Sequence, residues 1–137
     1  MQNRIIILVI TLAMAASTGL AGITASGDVS PNDPLIWTES TSPYVGYGGV
    51  GSVLVDNGSD MLSSTAYMGY LPGSLGTVQV SGDGSSWTHS SNLNVGYSGK
   101  AELSITDGAS VSNNFGFIGR LFGSTGAATI SGPGSIW

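Results

Sequence analysis

The sequence predicts an all-β chain: a short right-handed parallel β-helix (β-solenoid) of about four coils, each ~25 residues long with three short strands. Three observations predict it. Trp37, Trp87 and Trp137 stand fifty residues apart, and residues 37–86 laid on 87–136 without a gap are identical at seventeen of fifty positions. Self-similarity at a fixed period belongs to chains that stack like units instead of closing one globular core. The fifty-residue block is itself a doublet, because the hydrophobic-Gly pairs Val45-Gly46, Met68-Gly69, Val95-Gly96 and Ile118-Gly119 are separated by 23, 27 and 23 residues. Finally, Val53, Val78, Leu103 and Ala128 recur at a constant step of 25 inside segments of period-two alternation, which is the pattern of a half-buried strand.

Taken in chain order, Met1 to Arg4 is a short basic start, Ile5 to Ala16 an apolar run, and Ala15 to Ala21 a small-residue region. That build is expected of a secretory signal peptide, residues 1–21, cleaved after Ala21 or alternatively after Ala25. Ile5 to Ala25 is also uncharged over about a bilayer's thickness, but its second half is too rich in Gly, Ser and Thr to be strongly hydrophobic. Residues 22–36 break the repeat. Gly27-Asp28-Val29-Ser30-Pro31-Asn32-Asp33-Pro34 is turn-like, its two prolines cannot donate to a ladder, and the segment is expected to serve as an N-terminal cap or linker over the first coil.

Residues 37–137 are expected to be solenoid, in two doublets, 37–86 and 87–136. In each coil one strand alternates: Val53 and Val55, Val78 and Val80, Leu103 and Ile105, Ala128 and Ile130 face one way, and residues such as Ser52, Thr77, Gln79, Glu102 and Thr129 the other. A second landmark follows at Met61, Trp87, Val111 and Trp137, and the hydrophobic-Gly pair is the third. Turn chemistry agrees: Asn57-Gly58, Gly82-Asp83-Gly84, Asp107-Gly108 and Gly132-Pro133-Gly134 tolerate positive φ or fix a bend. The longer coil takes its extra residues in turns such as Leu71-Pro72-Gly73-Ser74. Asn-Gly and Asp-Gly are also hairpin signals, so an antiparallel sandwich is the competing fold; it does not require every second strand to return at one constant step. The chain stops on a repeat landmark with an apolar residue, and an uncapped edge invites edge-to-edge self-association; a longer native protein, truncated here at its C-terminus, is expected.

Composition narrows the function classes. The chain holds 22 Gly and no Cys, only 8% of it is charged, and its net charge is −5. The absence of Cys excludes disulfides and thiolate metal sites. Loss of residues 1–21 would leave two basic and eight acidic residues, a net charge of −6, which makes nucleic acid an unsuitable partner.

Candidate chemistry is thin. Asp56 and Asp60 are near each other in sequence, and Asp83 and Asp107 fall in turns of adjacent coils, so a carboxylate pair or cation site is conceivable, but turn aspartates ordinarily hydrogen-bond their own backbone. Gly46-Tyr47-Gly48-Gly49-Val50-Gly51 lacks the Lys and helix of a phosphate loop. His89 is the single histidine and is expected on the solvated coil surface. No catalytic residue, cofactor or metal is expected. The tryptophan column Trp37, Met61, Trp87, Val111, Trp137 alternates large and smaller residues, as a core ring would; the functional alternative is that Trp87 and Trp137, about 10 Å apart across two coils, form an exposed stacking ladder for a polysaccharide.

The segments Val78-Gln79-Val80-Ser81-Gly82-Asp83-Gly84-Ser85-Ser86-Trp87 and Ala128 to Trp137, with Leu93 to Gly99 and Leu103 to Ala109, resemble the repeats of bacterial autotransporter passenger domains. They are equally similar to exported repeat proteins that carry a PEP-CTERM sorting tail. The resemblance implies a β-helix exported by a bacterium and displayed outside the cytoplasm, secreted or at the cell surface or outer membrane. The expected function is a non-catalytic structural or adhesive surface module whose partners are surface polysaccharide or envelope and host proteins; the alternative is a carbohydrate-binding or polysaccharide-degrading β-helix. In either case the signal segment would engage the membrane during export.

Overall fold

The computed structural model describes residues 22–137; the expected signal peptide lies outside them. The described residues form thirteen strands in three sheets. The first sheet stacks β4 (Val50–Asp56), β7 (Leu75–Ser81), β10 (Lys100–Thr106) and β13 (Thr125–Ser131) in parallel. The second stacks β5 (Asp60–Ser63), β8 (Ser86–His89) and β11 (Ser110–Ser112), and the third β3 (Tyr44–Val45), β6 (Ala66–Met68), β9 (Asn92–Val95) and β12 (Phe115–Ile118). The result is the three-sided β-solenoid of about four turns that the repeat spacing predicts.

Register follows the landmarks. Val53 pairs with Val78, Val78 with Leu103 and Leu103 with Ala128, all parallel. On the second face Met61 pairs with Trp87 and Trp87 with Val111. On the third, Val45, Met68, Val95 and Ile118 pair in turn. The step is thus constant on the first face, while coil-length differences fall at the corners of the other two, where loops absorb residues without moving a strand.

Period-two alternation puts one apolar file inside each face. Val53, Val55, Val78, Val80, Leu103 and Ile105 are buried from the first, Met61, Trp87 and Val111 from the second, and Val45, Met68, Leu93 and Val95 from the third. Burial of each large side chain contributes about 1.5–3 kcal/mol, and parallel register sets like residue over like. At the last coil Ala128 only partly joins the core, and Ile118 and Ile130 are 52% and 46% exposed, since among the described residues no further strand lies over β12 or β13.

Turns stack as well. Asn57 and Asp107 adopt left-handed backbone (φ 54° and 57°) ahead of Gly58 and Gly108, and each following glycine N–H donates to a serine of the next coil, Gly58 to Ser85 Oγ at 3.0 Å and Gly108 to Ser135 Oγ at 3.1 Å.

The first coil is covered by strands of opposite sense. β1 (Gly22–Gly27) runs antiparallel along β4 over six residue pairs, and β2 (Val29–Ser30) antiparallel along β3. A short 3-10 turn, Pro34–Ile36, follows, capped by Asp33. It lowers Trp37 onto the interior, where the indole Nε1–H donates to the Pro31 carbonyl at 3.0 Å. Asp28 fastens the segment, its carboxylate accepting from the N–H groups of Gly48 and Gly49 at 2.7 and 2.6 Å. Those bonds hold its pKa below the usual carboxylate value.

Candidate functional site

The Trp87–Trp137 stacking ladder is not present on the surface. Trp87 is fully buried, and its indole Nε1–H donates inward to Ser63 Oγ at 3.1 Å. Trp137, in the last described coil, is partly buried against the core and donates to Asn113 Oδ1 at 2.5 Å. The physical reason is volume: Met61 below and Val111 above leave space that only a large ring fills, so the column is interior packing.

His89 also departs from expectation. Two positions after Trp87 on β8, it takes the same inward face and is 4% exposed. Its Nδ1 lies 2.8 Å from Ser63 Oγ and its ring 4.2 Å from that of Trp87. Burial pulls its pKa down to about 4, against a smaller opposing pull from the Ser64 backbone. Among the described residues its Nε2 has no hydrogen-bond partner.

The aspartates are engaged locally. Asp56 accepts from Asn57 Nδ2 at 2.9 Å, Asp60 from Ser86 Oγ at 2.6 Å and Asp107 from Ser81 Oγ at 3.4 Å. Among the described residues no three His, Cys, Asp or Glu side chains converge as a metal site would need.

The surface feature that stands out is aromatic and lies on the third face. Tyr44 and Tyr67 are outward residues of β3 and β6, next to the inward Val45 and Met68. Immediately after those inward residues come Gly46 and Gly69 with φ of 72° and 60°, and Gly96 (φ 81°) plays the same part after Val95. The bend sends the following Tyr47, Tyr70 and Tyr97 outward too. The glycines are obligatory: a Cβ on Gly69 would lie 2.0 Å from the Lys100 carbonyl oxygen of the next coil.

The rings form two files. Tyr44 stacks on Tyr67 at 5.2 Å, with planes 13° apart; Tyr47, Tyr70 and Tyr97 stack in succession at 5.2 and 5.0 Å, with planes 17° and 10° apart. Across the files the planes stand 80–88° apart, with centroids 4.9–5.4 Å apart. The edge of one ring thus meets the face of the next, which matches quadrupole to quadrupole. The Tyr44 hydroxyl is held more weakly acidic than usual, first by burial and then by the neighbouring tyrosines.

The first file changes at β9, where Asn94 takes the tyrosine's register position and Phe117 follows on β12. Arg120, which follows Gly119 as the tyrosines follow theirs, lies across this break. Its guanidinium is 4.3 Å from the Phe117 centroid and 5.6 Å from that of Tyr97, close enough for attraction to both rings. It also donates to Asn94 Oδ1 at 2.7 Å, while Asn94 Nδ2 donates to the Ala66 carbonyl at 3.0 Å. Asn94, an outward residue, is thereby fully buried.

All the ladder tyrosines keep some exposure, Tyr47 the most at 44%, and no ladder hydroxyl bonds to another described residue. Each therefore combines an apolar body with an unclaimed polar tip. The signal is in the sequence as Tyr44-Val45-Gly46-Tyr47, Tyr67-Met68-Gly69-Tyr70 and Asn94-Val95-Gly96-Tyr97, where the hydrophobic-Gly pair that marks the period is flanked by the outward residues. Comparison with protein-family models, with curated proteins and with solved structures finds no match.

Proposed function

We propose that the chain is a non-catalytic, exported structural and adhesive surface module whose third face is its contact surface. The observation that carries this is the tyrosine ladder, partly exposed and held on a rigid parallel frame. Tyrosine offers large contact area with little side-chain freedom to lose, and surfaces built to bind are enriched in it. The engagement of Asp28, Asp56, Asp60 and Asp107 in local bonds favours a structural over a catalytic use of the carboxylates. Export rests on the basic, apolar and small-residue order of residues 1–21 and on the likeness to autotransporter and PEP-CTERM repeats. Of the two cleavage positions Ala21 is the one we propose, because a cut after Ala25 would remove Gly22, Ile23, Thr24 and Ala25 from the strand that covers β4.

The test is expression of the full chain in a Gram-negative host, with fractionation, intact-mass measurement and adhesion of the product to cell envelopes. The expected product is extracytoplasmic, begins at Gly22, and loses adhesion when Tyr47 and Tyr70 are replaced by Ser. A full-length cytoplasmic product would overturn the export half of the proposal, and adhesion indifferent to those substitutions the other half.

A further inference from the structure

We propose that the tyrosine ladder is a binding site for an extended polysaccharide that lies along the solenoid axis and spans several coils. The inference rests on the reading of the third face as a contact surface and goes further by naming the ligand class. Four observations converge on it. Ring centroids advance by 5.0–5.2 Å per coil over Tyr47, Tyr70 and Tyr97, a step fixed by strand spacing; a pyranose unit in an extended glycan advances by about one such step, so consecutive sugars would meet equivalent rings. The files are amphipathic in the sense a sugar demands: ring carbons to lie against C–H groups, and hydroxyls that, among the described residues, make no hydrogen bond and so can exchange them with sugar O–H groups. The face is pre-formed, since each tyrosine stacks on at least one ring of its own file or meets one edge-on across the files, and Tyr70 does both on every side, so binding orders little that is not ordered already.

The fourth observation is Arg120. In a chain with three basic residues, one stands at the end of this ladder, with a single guanidinium nitrogen committed to Asn94. Its remaining N–H donors suit sugar hydroxyls or the carboxylate of a uronic acid. A second copy of the chain is a weaker occupant, because each copy, without residues 1–21, would bring two basic and eight acidic residues, a net charge of −6, to the contact.

The experiment is affinity electrophoresis of the full chain through gels containing hydroxyethyl cellulose (extended, neutral), polygalacturonate (extended, acidic) or dextran (flexible), with sedimentation velocity of the same samples. Retardation is expected in at least one of the extended polymers and not in dextran. Tyr70→Ser and Tyr97→Ser should each weaken it roughly tenfold, and Arg120→Gln should weaken the acidic polymer selectively if the bound glycan carries carboxylates. Circular dichroism melting accompanies each variant; where Tyr70→Ser fails to fold, Tyr47→Ser at the exposed end of the file and Tyr70→Phe, which keeps the ring and removes the hydroxyl, replace it. Absence of retardation in every extended polymer, retardation unchanged by ladder variants that melt normally, or ladder-dependent dimers in place of glycan binding would each overturn the proposal. Adhesion to envelopes retained without glycan binding would leave the contact surface standing and remove only the glycan.

Discussion

The column Met61, Trp87 and Val111 and the files Tyr44–Tyr67 and Tyr47–Tyr70–Tyr97 are two stacks built by the same coil repeat, one turned inward and the other outward. In the tryptophan column successive residues alternate in size, because a large ring in an interior of fixed cross-section must be compensated by a smaller neighbour, whereas the smaller buried Val53, Val78 and Leu103 stack like on like. Outside no wall imposes that limit, so large rings can follow one another, and the first file ends where a different chemistry, Asn94 with Arg120, takes over. Parallel stacking alone thus dictates that a residue recurs. Which residue recurs is dictated by volume inside and by the partner outside.

The sharpest way to break the comparison is Trp87→Ala. It should lower stability by about 3–5 kcal/mol and disrupt cooperative melting, since the cavity opens between Met61 and Val111. Thermal unfolding followed by near-ultraviolet circular dichroism measures this; an effect no larger than that of a ladder tyrosine would erase the distinction between the two stacks.

Next in size is the pH response of His89. Unfolded, its imidazole takes a proton near the ordinary value of 6.5; folded, burial delays this to about 4. Stability is therefore full above about pH 6.5 and falls as the pH drops toward 4, by up to about 3 kcal/mol. Denaturant titrations between those limits should show the slope for the native chain and a flatter one for His89→Leu.

A corner substitution, Gly69→Ala, addresses the frame the two stacks share. The new Cβ meets the Lys100 carbonyl at positive φ, and a loss of about 1–3 kcal/mol is expected in the denaturation midpoint. The smallest effect belongs to Tyr47→Ala. This residue touches Tyr44 and Tyr70 and is 44% exposed, so about 1 kcal/mol is expected; the contrast with Trp87→Ala then separates a surface that serves contact from an interior that serves folding.

Much of the architecture was legible in the sequence because a solenoid writes its geometry as spacing. Val53, Val78, Leu103 and Ala128 pair at the step their numbers predict, and Asn57 and Asp107 take the left-handed turn conformation that Asn-Gly and Asp-Gly favour. The antiparallel β1 was not legible: Gly22-Ile23-Thr24-Ala25-Ser26-Gly27 has no coil to repeat and its partner is chosen by tertiary contact. His89 was readable by carrying the alternation two positions beyond Trp87, and was missed because a lone histidine is ordinarily a surface residue. Trp87 is buried, as the size alternation of its column suggests and the stacking alternative does not. The tyrosine ladder needed the corner bend at glycine, since two outward side chains flanking an inward residue and a glycine do not follow a simple period of two.

The unequal coil spacings have a consequence for growth. On the second and third faces the steps alternate, 26 then 24 and 23 then 27, and both pairs return to phase together after fifty residues, as does the first face. The tile that can be copied without scrambling which corner carries the long loop is therefore two coils thick, roughly 10 Å of axial length. A gene that duplicates or loses whole tiles would lengthen or shorten the rod in such increments while every surface file stays aligned, whereas a single-coil insertion would place long corners over long and short over short.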